Sequence, residues 1–295
     1  MTLPNELINL LTQYLSERTT QPISIDADVL AYRWVGGLHG KLVPIDVSFG
    51  GDLADLLGID TQKDKLIANT EQFLARLPAN HVLMTGTRGA GKSSLIRALL
   101  KAYHHKGLRI IEVARDDLLH LDKIRQAIKT AAKRGNPNRY IIYCDDLAFN
   151  AQDENYRTLK SVLDGALDSE QNNLLVYATS NRRHLLPQLM KDNVSIYNGQ
   201  TDEVNPYETI DETVSLSDRF GIWLSFYPMN QVLYLDIVKH LLAKHGISYD
   251  DITEAEALKW ASTRGGRSGR VAYQFSQHWV GMTGLNHQSN QAMDD

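Results

Sequence analysis

Cysteine is nearly missing from the chain: Cys144 stands alone in 295 residues, so no internal disulfide framework can staple the fold. Cys144 itself reads as a small buried hydrophobe within an apolar run. No apolar stretch reaches the roughly 18 residues a membrane-spanning helix needs, and no membrane partner is expected. Charge of one sign is not in excess either. The 31 Lys and Arg against 35 Asp and Glu leave a net charge of −4, which exerts no overall pull on nucleic acid or anionic lipid. The basic residues are scattered, and His104-His105 has no companions at zinc spacing. Repeats and low-complexity tracts are absent. The first residues, MTLPNELINLLTQYL, carry no basic n-region and no signal-type apolar core, so the expected compartment is the cytoplasm.

What is present is an ordinary globular composition, 43% hydrophobic and 22% charged, organised around one stretch. Gly86-Thr87-Arg88-Gly89-Ala90-Gly91-Lys92-Ser93, followed by Ser94, fills every fixed position of the phosphate-cradling pattern G-x-x-x-x-G-K-[ST]. The apolar run His81 to Thr85 before it predicts a buried strand. Leu95, Ile96, Leu99, Leu100 and Tyr103 after it fall at helical spacing. A loop whose backbone N–H groups converge on phosphate oxygens cannot carry a bulky side chain at each step, hence the three glycines. The following helix directs its unsatisfied N–H groups and positive dipole end at the same oxygens, Lys92 adds a charge, and the Ser93 hydroxyl suits Mg²⁺.

Past this loop strands and helices alternate. Leu108 to Val113, Tyr140 to Cys144, Leu174 to Ala178 and Ile222 to Phe226 read as strands, which predicts parallel βαβ units with ligands at the strands' carboxyl ends. Polar residues stand at those ends. Asp145 is placed to hold the nucleotide's metal, and Asp146 to orient or deprotonate a water. Asn181 closes the next strand and can reach between γ-phosphate and water. Arg219, ahead of the last strand, and Arg270, opening a later helix, are two arginines for transition-state charge; the plainer reading of each is a surface ion pair, with Asp218 beside Arg219.

In this order the motifs resemble those of the AAA+ ATPases: phosphate loop, Asp145-Asp146 for Walker B, Asn181 as sensor 1, Arg219 as arginine finger, Arg270 as sensor 2. The segments HVLMTGTRGAGKSSLIRALL, IIYCDDLAF, LKSVLDGAL, YATSNRRHLLP, LSDRFGIWLSFYP and RSGRVAYQF look like a family of bacterial AAA+ proteins of unassigned role. The resemblance covers about residues 55 to 282. It implies an α/β P-loop core with a five-stranded parallel sheet, a small all-helical lid, ATP and Mg²⁺ as ligands, Ile59 near the adenine, and a homo-oligomer, possibly a ring, in which Arg219 completes a neighbour's site. The expected division is an N-terminal helical extension (1–50), the nucleotide-binding core (51–228), the lid (229–285) and a flexible tail (286–295).

Two readings of the activity stand side by side. One is an oligomeric ATPase that remodels a protein or nucleic-acid partner; the other is a slow ATP-gated switch or loader. Asp146, where glutamate is usual, reaches about 1 Å less far, and a misplacement of that size can slow turnover on the order of 10²-fold. The stretch Ala114 to His120, where unfoldases carry an aromatic pore loop, has no aromatic. Both favour the switch, whereas the full set of sensors and finger favours the ATPase. Residues 184–215 read as a solvated loop or a partner-binding insertion, and a helix through Leu7, Leu11 and Tyr14 as a docked element or a contact arm.

Overall fold

A computed structural model of the chain describes residues 23–37, 40–148, 154–163, 173–181 and 219–294. Its strands are β1 (Ala31–Val35), β2 (Lys41–Pro44), β3 (Val82–Gly86), β4 (Leu108–Glu112), β5 (Arg139–Cys144), β6 (Leu174–Ser180) and β7 (Ile222–Phe226). They form one sheet in the order β2-β1-β4-β5-β6-β3-β7. Every pairing is parallel except that of β1 with β2.

The sheet therefore has seven strands where five were expected. The additional pair comes from residues 31–44, inside the stretch expected to be a helical extension. Ala31, Tyr32 and Trp34 are buried while Arg33 and Val35 face out, the period of a half-buried strand. Tyr32 registers with Ile111 of β4. That partner is distant in sequence, so tertiary burial decides the strand. The helix expected through Leu7, Leu11 and Tyr14 lies outside the described residues, as does the 184–215 segment.

Alternation along the central strands sends side chains to two covered faces. Leu83, Ile142 and Val176 pack with Ile124 and Ile128 of α3 (Leu121–Lys133) and Leu159 and Leu163 of α4 (Glu154–Leu163). Met84, Ile141 and Tyr177 pack on the other face with Leu66 and Phe73 of α1 (Asp60–Leu74) and Leu95, Ile96 and Leu99 of α2 (Lys92–Tyr103). Each such side chain contributes about 1.5–3 kcal/mol on leaving water. The buried Tyr177 hydroxyl is satisfied by Asn69 Nδ2 and Thr70 Oγ1, both at 2.9 Å, which fixes α1 against β6. Cys144 is buried and its thiol is pushed up to about 12 by that burial, so it is chemically quiet at neutral pH.

A second, smaller core gathers α5 (Gln231–Ala243), α6 (Asp251–Thr263) and α7 (Gly269–Asp294) around Tyr234, Val238, Leu242, Ala257 and Phe275. Asn230 caps α5 by accepting from Leu233 N. The cap of α6 is Asp250, which accepts from Thr253 N at 2.8 Å. Thr253 is thus the third helical residue. Helix α7 continues to Asp294, through most of the stretch expected as a tail. No helix among the described residues is long and apolar enough to cross a membrane.

Residues 53–59 join the two cores. Leu53 and Ile59 pack against the sheet's core and Leu57 against the helical one. Gly58 turns the chain between them at φ 73°, where an added Cβ would come within 2.3 Å of Leu233. Nearby, Asp55 accepts from His240 Nε2 at 2.8 Å and from Lys244 Nζ, both on α5. Burial pulls the Asp55 carboxyl upward, but hydrogen bonds from Lys244, His240 and the Asp52 backbone outweigh it and hold it at about 2, below 3.8.

A carboxyl depressed in the folded state contributes stability above its unfolded value and loses it as pH falls through its folded value. The Asp55 anchor is therefore expected to be whole above about pH 4 and lost toward pH 2. Hydrogen exchange of α5 in the unaltered protein should accelerate across that window relative to Asp55→Asn. If the two proteins exchange alike at pH 5, Asp55 does not hold the helices to the core.

Candidate functional site

Neighbouring positions β5, β6 and β3 in the sheet bring three polar strand ends to one edge: Asp145, Asn181 and the loop after Gly86. The loop's shape depends on glycine. Gly86 has φ 127°, and a Cβ there would lie 1.9 Å from Phe226 O, so any side chain would push β7 away. Gly89 and Gly91 also have positive φ, 73° and 97°, which L side chains rarely adopt. Thr87 N donates to Phe226 O at 3.2 Å, tying the loop to the end of β7. Gly91 is the N-cap of α2 and offers no side-chain acceptor, so the first N–H groups of that helix are left for a ligand. Ala90 packs on the core behind the loop, and Ser94 lies half-buried in the first turn of α2.

Lys92 is 7% exposed. Its Nζ donates to Gly86 O at 2.7 Å, Thr87 O at 2.9 Å and Asn181 Oδ1 at 3.2 Å. Burial lowers its pKa, while the charges of Asp145 and Asp146 act in the opposite direction. The ammonium is held inside a small acidic enclosure.

The two carboxylates are positioned through Thr179, which sequence reasoning missed. Its hydroxyl donates to Asp145 Oδ1 at 2.5 Å and accepts from Asp146 N at 2.9 Å. Ser93 Oγ donates to the same Asp145 oxygen at 3.3 Å. Asp146 Oδ1 accepts from Asn181 Nδ2 at 2.6 Å, and Oδ2 meets the Arg88 guanidinium at 3.4 Å. The Asn181 amide thus bridges Lys92 and Asp146, and the two contacts fix which way round it sits. Asp146 adopts φ 53°. A short polar side chain tolerates that left-handed conformation better than a longer one, which gives a backbone reason for aspartate where glutamate is usual.

The smaller core touches the loop directly. Gly269 N donates to Gly89 O at 2.9 Å, and a Cβ added at Gly89 would meet Ser268 at 2.9 Å and Arg270 Cβ at 3.5 Å. Arg270 is exposed in the first turn of α7, beside the phosphate loop. Ile59 approaches from the other side, its Cδ1 3.5 Å from a Cβ built on Gly91. Arg219 is not brought to this group. It precedes the amino end of β7, which runs parallel to β3, so it lies at the opposite edge of the sheet, about 20 Å from the loop at strand rise.

The donors present fit Mg²⁺, a hard ion that takes one or two carboxylates and completes its shell with phosphate oxygens and water. The Asp145 carboxylate and the Ser93 hydroxyl, side by side, are oxygen donors of that kind. Among the described residues no group of three or more His, Cys, Asp or Glu could hold a metal by protein ligands alone.

Two solved structures, both point variants of Thermotoga maritima RuvB, have this architecture. They superpose with TM-scores of 0.51 and 0.50 at 16% identity, each over 81% of this chain and over 67% and 68% of theirs. At that identity the likeness concerns the fold, which is that of the AAA+ P-loop proteins. No curated protein matches the sequence. The model of the family described as "Protein of unknown function (DUF815)" matches residues 27–283, and the chain belongs to that family.

Proposed function

We propose that the protein binds Mg²⁺-ATP, hydrolyses its β–γ bond in sites completed between copies of the chain, and couples turnover to rearrangement of a macromolecular partner. One observation carries the reading: Lys92, Asn181 and Asp146 form a single hydrogen-bonded row beside Ser93 and Asp145, at the mouth of a three-glycine loop. The loop amides from Thr87 to Ser94 cradle the phosphates, and Lys92 turns from the Gly86 and Thr87 carbonyls to their oxygens. Ser93 and Asp145 hold Mg²⁺, which would neutralise charge on the β- and γ-phosphates. Asp146 takes a proton from the attacking water, with Asn181 placing that water and keeping Asp146 aimed at it. Arg270 closes over the γ-phosphate from the helical lid. Ile59 packs near the adenine.

Arg219 acts on a neighbour's nucleotide in this scheme, since some 20 Å of strand separates it from its own loop. That distance supports a homo-oligomer. The slower reading, an ATP-gated switch, is favoured by a different observation: each Asp146 oxygen already has one contact, with Asn181 and with Arg88, which restricts the directions from which a water can reach the lone pairs that are left.

Phosphate release from Mg²⁺-ATP, measured per subunit across protein concentrations, separates the two. Turnover that climbs with concentration toward a plateau on the order of 1 per second is expected of the shared site. Turnover that is flat and far slower would leave the switch as the better description.

A further inference from the structure

We propose that the Tyr143 hydroxyl is a positioning group for the metal, holding a water in the shell of the Mg²⁺ at Ser93 and Asp145; the proposal rests on the Mg²⁺-ATP reading above. Tyr143 lies in β5 two residues before Asp145, and residues so spaced project to one face. The side chain is 8% exposed and belongs to the core that packs α2, the helix bearing Ser93. Its hydroxyl is buried and completes no hydrogen bond of sound geometry among the described residues, although Ser93, Asp145 and Thr179 all lie within polar interaction range of it.

A buried hydroxyl without a partner is unfavourable and calls for an explanation. Phenylalanine would fill the same volume without that penalty. Ser93 Oγ and Thr179 Oγ1 both direct their protons to Asp145 Oδ1, so neither donates to the Tyr143 oxygen, and no described acceptor meets the Tyr143 proton in hydrogen-bond geometry. What remains is a ligand at the Ser93–Asp145 pair. Mg²⁺ dehydrates reluctantly and retains several waters, and groups that hydrogen-bond such ligands typically change metal affinity by about 10- to 100-fold when removed.

The test is equilibrium binding of a fluorescent N-methylanthraniloyl ATP, once in EDTA and once in saturating Mg²⁺, for the unaltered protein and for Tyr143→Phe. The ratio of the two Kd values is the Mg²⁺ enhancement. Tyr143→Phe is expected to leave the EDTA value within about twofold and to reduce the enhancement about tenfold, with a melting temperature in EDTA equal to or above that of the unaltered protein. An undiminished enhancement, or an equal weakening in both conditions, overturns the proposal while the Mg²⁺-ATP reading stands. A fall in the EDTA melting temperature also overturns it, because the hydroxyl would then have a protein partner. If the unaltered protein itself binds without Mg²⁺ enhancement, the underlying reading fails and takes this proposal with it.

Discussion

Lys92→Ala is expected to weaken ATP binding by about 100-fold and to abolish turnover at ordinary ATP concentrations. Its ammonium is buried, feels the charges of Asp145 and Asp146, and donates to Gly86 O, Thr87 O and Asn181 Oδ1. Truncating one member of a buried, hydrogen-bonded charge group costs about 2–5 kcal/mol, which brackets 100-fold in affinity. The loss has two parts. The triphosphate loses its nearest cation, and it must then approach Asp145 and Asp146 with their charge unopposed. Folding should suffer little, because burial already disfavours the charged lysine and the freed carbonyls border the open loop. Isothermal titration with ATP, next to Lys101→Ala on the far turn of the same helix, measures the difference. Equal affinities in the two variants, with both folded, would remove the phosphate-loop reading altogether.

How far the sequence foretold this arrangement depended on the range of the interactions that decide it. The loop was legible because each of its residues answers a local demand: positive φ at Gly86, Gly89 and Gly91, charge at Lys92, a hydroxyl at Ser93. The core strands were legible because burial on both faces makes them continuous apolar runs. Strands β1 and β2 were not, since five and four residues interrupted by Arg33 and followed by Gly36-Gly37 look like irregular chain until Tyr32 and Trp34 find the core.

The site shows the same division. Asp145, Asp146 and Asn181 could be placed by counting from strand ends, whereas the part of Thr179 in aligning both carboxylates required the spacing between β5 and β6. The Arg88 contact with Asp146 likewise joins residues from two strand ends separated by β6. Tyr143 was within reach of a sequence argument, for a tyrosine two positions before Asp145, the aspartate proposed to hold the metal, must share its face. Its burial and its missing partner were not.

The position of Arg219 leads to the other large effect. An arginine at the amino end of β7 cannot reach a loop at the carboxyl end of β3 in the same chain, so a catalytic part for it requires a second copy whose loop faces that edge. Such a head-to-tail contact is heterologous and closes into a ring when the rotation allows. Arg219→Ala is accordingly expected to lower turnover about 10³-fold, the lower bound for an arginine supplied to a γ-phosphate, while ATP affinity changes little. Mixing gives the sharper result. Arg219→Ala retains an intact loop and Lys92→Ala an intact finger, so each is inactive alone, yet random co-assembly should restore roughly a quarter of the unaltered turnover, the share of interfaces that pair the two intact halves. An arginine that served only its own subunit, or only the stability of the β7 edge, would give no recovery on mixing, because no combination of the two chains would then contain a complete site.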